Sequence, residues 1–94
     1  MNRDEALTIL RERIRTLRSL SYAELLQFLG NATADEVIAP GGQAYQIEVE
    51  VMWDDQPNSN LRVIASIDDG SLRWATFPLF QDFLIRPDGT FVGE

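Results

Sequence analysis

The apolar pattern predicts an α+β fold: two N-terminal helices packed on one face of an antiparallel β-meander of roughly three to five strands, with a short C-terminal hairpin. Three observations carry that prediction. Apolar residues recur at three- and four-residue steps over 4–19, then at two-residue steps over 45–53. Ser21-Tyr22-Ala23-Glu24 has the form of a helix-starting capping box. Turn-forming runs punctuate the second half. The whole chain, 1–94, reads as one domain, because neither half alone could bury its apolar face.

In the first helix, Leu7, Leu10, Ile14 and Leu17 form one stripe. Asn2 or Asp4 caps its start, and Asp4 and Glu5 suit the positive end of the helix dipole. Arg11, Arg15 and Arg18 form a second stripe beside the apolar one. The helix that begins at Ser21 carries Leu25, Leu26, Phe28 and Leu29, and Gly30 is placed to end it. Thr33-Ala34-Asp35-Glu36 matches a second capping box and predicts a further helical turn, although Val37-Ile38 suits an extended chain equally. Pro40-Gly41-Gly42 is a turn rather than a phosphate-binding loop, since no helix signal follows it.

From Gln43 the period is two. Tyr45, Ile47, Val49, Val51 and Trp53 alternate with Ala44, Gln46, Glu48, Glu50 and Met52. A polar loop over 54–60 leads to a strand over 61–68. Asp69-Gly70 then predicts a type I′ hairpin into a strand over 72–77. Pairing Trp53 with Leu61 aligns Val51 with Val63, Val49 with Ala65 and Ile47 with Ile67. Pairing across Asp69-Gly70 aligns Ile67 with Leu72, Ala65 with Trp74 and Val63 with Thr76, so both hairpins share one apolar face. Trp53 and Trp74 fall on it and read as core residues. Arg86-Pro87-Asp88-Gly89 suits a type I turn with a bulge, flanked by Leu84-Ile85 and Phe91-Val92 as the last hairpin.

Composition excludes much chemistry. The chain has no cysteine, histidine or lysine. Disulfides, thiolate and Schiff-base nucleophiles, the usual general base and the commonest metal ligand are all lost together. The carboxylate pairs Asp54-Asp55 and Asp68-Asp69 belong at opposite ends of one strand and do not converge on an ion. Asp69 reads as a turn residue. Nothing matches a nucleotide loop or a nucleophile elbow, so no catalytic, metal or cofactor residue is assigned and no cofactor is expected.

Fifteen acids face eight arginines, a net charge of −7. Residues 1–20 carry five arginines and three acids, +2, so the remainder stands at −9. Such a body repels nucleic acid and anionic lipid and attracts basic partners. The arginine stripe reads as a solvated flank, helped by Glu12 beside Arg15, or as cover for an acidic sheet edge. With a charged start and no apolar run of about 20 residues, a soluble cytoplasmic protein is expected.

The second sheet face is the candidate interaction surface. The predicted register places Glu48, Ser66 and Arg73 in one row, Glu50, Ile64 and Ala75 in the next, and Met52, Arg62 and Phe77 in a third. An apolar patch of Met52, Ile64, Ala75 and Phe77 ringed by charge has the make-up of a modest interface. The competing expectation is that Phe80, Phe83 and Phe91 fold the C-terminal segment over it. The run 83–94 and the segments around Trp53 and Ile67 resemble those of short bacterial proteins without assigned function, a likeness that implies no site or activity. The resulting reading is a small acidic, non-enzymatic interaction module, inhibitor- or immunity-like, for a basic protein partner, or one that self-associates through this face, with neither nucleic acid nor membrane as partner. The alternative is a small-ligand binder or minor enzyme with a pocket between helices and sheet.

Overall fold

The computed structural model of the chain describes residues 2–70 and 79–94. Helix α1 spans Arg3–Arg18. Asn2 caps it, its side-chain oxygen accepting the Glu5 N–H at 3.1 Å, and Asp4 and Glu5 occupy the first turn. Ala6, Leu10 and Leu17 are buried, with Leu7, Ile9 and Ile14 packed at their flanks. The predicted stripe is thus widened by Ala6, whose methyl is small enough for α1 to approach the sheet closely. The helix lies over the two strands Leu61–Asp68 and Leu79–Ile85.

Helix α2, Tyr22–Leu26, is started by the predicted capping box with both halves formed. Ser21 Oγ accepts the Glu24 N–H at 3.1 Å, and Glu24 Oε1 accepts the Ser21 N–H at 2.9 Å. It is shorter than predicted. Its last residues continue as tight turns, with the Phe28 and Leu29 N–H groups donating three residues back. Gly30 at φ +78° then reverses the chain, a conformation that costs glycine little. Leu25 is fully buried, and Leu29 bridges to Val51.

Among the described residues four antiparallel strands follow: β1 Thr33–Ile38, β2 Ala44–Trp53, β3 Leu61–Asp68 and β4 Leu79–Ile85, in the order β1-β2-β3-β4. β1 corrects the helical turn expected at Thr33-Ala34-Asp35-Glu36. A capping box is a local signal, and here it is outweighed by six consecutive partners on β2, from Thr33 with Val49 to Ile38 with Ala44. The β2–β3 register is the predicted one throughout, including Val51 with Val63 and Ile47 with Ile67.

The partner across β3 differs from expectation. Ile67 pairs with Leu79, Ala65 with Gln81, Val63 with Phe83 and Leu61 with Ile85. β4 therefore takes the place beside β3 that the sequence pattern predicts for residues 72–77, and residues 72–77 themselves, Trp74 included, lie outside the described residues. Nor is Asp69-Gly70 a type I′ turn. Gly70 has φ +81°, but Asp69 does not share the positive φ that such a turn demands. Instead Asp68 Oδ1 accepts the Gly70 N–H at 2.7 Å, the local bonding that makes Asp common in turns generally. The final hairpin is present in short form. The Arg86 N–H donates to the Thr90 carbonyl at 2.8 Å, and Ile85 bridges to Phe91.

Tyr45, Ile47, Val49 and Val51 of β2 meet Leu61, Val63, Ala65 and Ile67 of β3, and Phe83 and Ile85 of β4, beneath the helices. Trp53, expected in the core, is only half-buried at its margin. Among the described residues no polar or charged residue is buried, and no helix is long and apolar enough to cross a membrane.

Candidate functional site

Strand alternation sends Glu48, Glu50 and Met52 of β2, and Arg62, Ile64 and Ser66 of β3, to the face opposite the helices. The structure brings these together as expected: Glu48 lies beside Ser66, Glu50 beside Ile64 and Met52 beside Arg62. Arg73, Ala75 and Phe77, expected to complete the rows, lie outside the described residues. The neighbours that β4 sets in those rows are Phe80, Asp82 and Leu84. Strand β1 adds Ala34, Glu36 and Ile38 on the other side.

The tail does not fold over this face. Phe83 and Phe91 point to the helix side, where their rings meet edge to face at 5.6 Å. The Arg18 guanidinium stacks on Phe91 at 4.0 Å and reaches Phe83 at 5.6 Å, while both its terminal nitrogens bond the Glu94 carboxylate. This clasp consumes one member of the arginine stripe. Arg15 pairs with Glu12 at 3.3 Å, the flanking ion pair anticipated, and Arg11 stays exposed. Arg13, outside the stripe, ties α1 to β1 through a bidentate pair with Asp35 at 2.9 and 2.8 Å. Only Phe80 of the three tail phenylalanines faces outward, and it is 65% exposed.

The outer face therefore sets Met52, Ile64, Leu84 and Phe80 around Arg62 and Asp82, and its charges are unevenly matched. Arg62 is held by Asp54 at 2.9 Å and by Asp82, which neutralises the one cation that β2 and β3 place on this face. No hydrogen bond or ion pair engages the carboxylates of Glu36, Glu48 or Glu50 among the described residues. At one end β2 runs past the start of β1. The segment Leu29 to Ala32 and the end of β2 there line an open cleft of about 370 Å³ that includes Glu50, Met52 and Trp53. Two further clefts, beside Tyr22 and Phe91 and beside Glu5 and Pro40, are also open to solvent.

Acid–base chemistry finds little purchase in the described residues. Each carboxyl group with a shifted pKa is held below the usual carboxylate range: Glu24 by its bonds to Ser21, Asp35 by Arg13, Asp88 by Thr90 and Glu94 by Arg18. A general acid at neutral pH needs the opposite shift. Burial, and then the hydrogen bond to Glu5, push Tyr45 up to about 12, so it stays a neutral core hydroxyl. No group of three or more acidic side chains is placed to hold a metal ion among the described residues. Asp54 and Asp68 stand at opposite ends of β3, as expected.

The chain matches no protein-family model, no curated protein and no solved structure.

Proposed function

We propose that the protein is a non-enzymatic interaction module whose outer sheet face binds a basic protein partner. The observation that carries this reading is the set of apolar side chains Met52, Ile64, Leu84 and Phe80 around the Arg62–Asp82 pair, beside two carboxylates, Glu48 and Glu50, that have no partner among the described residues. A sheet face turned to water ordinarily carries polar side chains. Apolar side chains beside unpaired carboxylates suit a partner that brings apolar contact and positive charge together. An inhibitor or immunity-type protein that covers a basic active site is one form such a module takes.

Immobilised wild-type protein, Ile64→Asp and the double variant Glu48→Lys, Glu50→Lys should be compared for partner capture at low and high salt, with cross-links mapped by mass spectrometry. Capture by the wild type alone, lost at high salt and cross-linked to β2 and β3, supports the reading. Ile64→Asp should stay folded by circular dichroism. Three results would overturn the reading: unfolding of Ile64→Asp, capture indifferent to both variants, or light scattering that shows a dimer broken by Ile64→Asp. The last would make the face a self-association surface.

A further inference from the structure

Strand β1 is an edge. Strand β2 fills one side of it, and no described residue pairs with the other. The bond from the Ala39 N–H to the Gln43 carbonyl, 2.8 Å, closes the β1–β2 loop and sets the alternation of the ladder. Counted back in twos, Val37, Asp35 and Thr33 turn their backbone groups toward β2. Ala34, Glu36 and Ile38 therefore turn theirs outward, three N–H groups and three carbonyls in a row. Their side chains lie on the outer face, and Ile38 is 58% exposed.

Natural edges are commonly blunted by proline, bulges, or charge that faces inward. β1 has neither proline nor bulge across its six paired residues. Its inward charge, Asp35, is cancelled by the bidentate contact with Arg13. What remains at the rim is Glu36, a carboxylate with no partner among the described residues, next to exposed Ile38.

We infer that this edge accepts an extended basic segment of a partner protein as an added strand. The added strand's N–H and C=O groups pair with those of Ala34, Glu36 and Ile38. A cation on its outer face lies opposite Glu36, and an apolar side chain lies against Ile38. A second copy of this chain suits the edge less well than a basic segment, because the self-pairing centred on Glu36 sets that carboxylate opposite its own copy, an arrangement that destabilises a sheet. The inference rests on reading the chain as an interaction module, but it concerns the strand edge and not the apolar face.

The test is amide hydrogen exchange and NMR titration of the full chain with a short capped peptide alternating lysine and valine. New protection should appear at the N–H groups of Ala34, Glu36 and Ile38, while Val37, already bonded to β2, changes little. Glu36→Lys should weaken this peptide by about five- to tenfold and favour a glutamate–valine peptide instead. No new protection at those three amides with peptide in large excess overturns the inference, as does tight binding indifferent to Glu36→Lys. Shifts confined to Glu48, Ile64 and Phe80 also overturn it, but leave the outer-face reading standing. Ile64→Asp should leave binding of this peptide unchanged, so the two surfaces fail separately.

Discussion

Replacing Tyr45 by Phe isolates one buried contact in a chain unusually suited to the measurement. The Tyr45 side chain is fully buried on β2, and its hydroxyl donates to Glu5 Oε1 on α1 at 2.8 Å. A hydrogen bond to a charged group contributes about 1.5–3 kcal/mol, and the half-buried position of Glu5 places this one near or below the lower end, at about 1 kcal/mol. In a domain of this size that lowers Tm by about 4–8 °C at neutral pH.

The alkaline limb gives the sharper readout. Burial and the neighbouring Glu5 carboxylate raise Tyr45 from 10.0 to about 12 in the folded state. Between those values the unfolded chain has lost the proton that the folded chain keeps. Stability contributed by Tyr45 is therefore intact below about pH 10 and is lost as pH rises through 12. The loss is on the order of 1–2 kcal/mol once solvent near the hydroxyl is allowed for. The sequence holds no lysine or cysteine to add a titration in that window. Chemical denaturation at stepped pH, alongside tyrosinate absorbance, should show the wild-type and Tyr45→Phe curves converging as pH approaches 12. Parallel curves, or equal Tm values at pH 7, would refute the assigned contact.

Arg13→Ala removes the guanidinium that holds the Asp35 carboxyl below its usual range. The Asp35 pKa, followed by NMR, should rise toward that range. The wild type's extra stability, present above the ordinary carboxylate pKa and lost as pH falls through the depressed one, should vanish; at neutral pH it is about 0.5–1 kcal/mol for a pair this exposed. Leu25→Ala empties a fully buried position beneath the five-residue helix α2 and should cost about 2–5 kcal/mol in urea unfolding; a loss below 1 kcal/mol on the same scale would mean that α2 is not part of the core.

The parts of the fold legible in sequence were those with long periodic patterns. The ten residues of β2 alternate without interruption, and closing the 54–60 loop with Trp53 opposite Leu61 keeps both apolar sets on one face, the register found. The Ser21 capping box is likewise specific, because its two side chains bond each other's backbone. The same motif at Thr33 misled, because nothing local reveals the backbone partners that β2 offers. Asp69-Gly70 misled for a related reason. The dipeptide marks a turn but does not say which later segment takes the place beside β3. Leu79–Ile85 takes it because Phe83 and Ile85 extend the core that Val63 and Leu61 begin. The outer-face rows of β2 and β3 were legible from alternation alone. The Arg13–Asp35 pair was not, since it joins residues 22 apart on elements whose relative placement the sequence does not state.

Every described strand lies beside the one next to it along the chain, so none of these ladders has to wait for a distant segment to arrive. Pairing between strands that are neighbours in the chain favours rapid growth of the ladder, with hairpins zipping in turn as neighbours meet. The Arg18–Glu94 clasp is the opposite case, spanning 76 positions. A contact so remote forms late, after the ladder is built, and so acts chiefly as a brake on unfolding. In a chevron plot, Arg18→Ala should steepen escape from the native state while the refolding arm stays where it was; a slowed refolding arm would place the clasp in the nucleus instead.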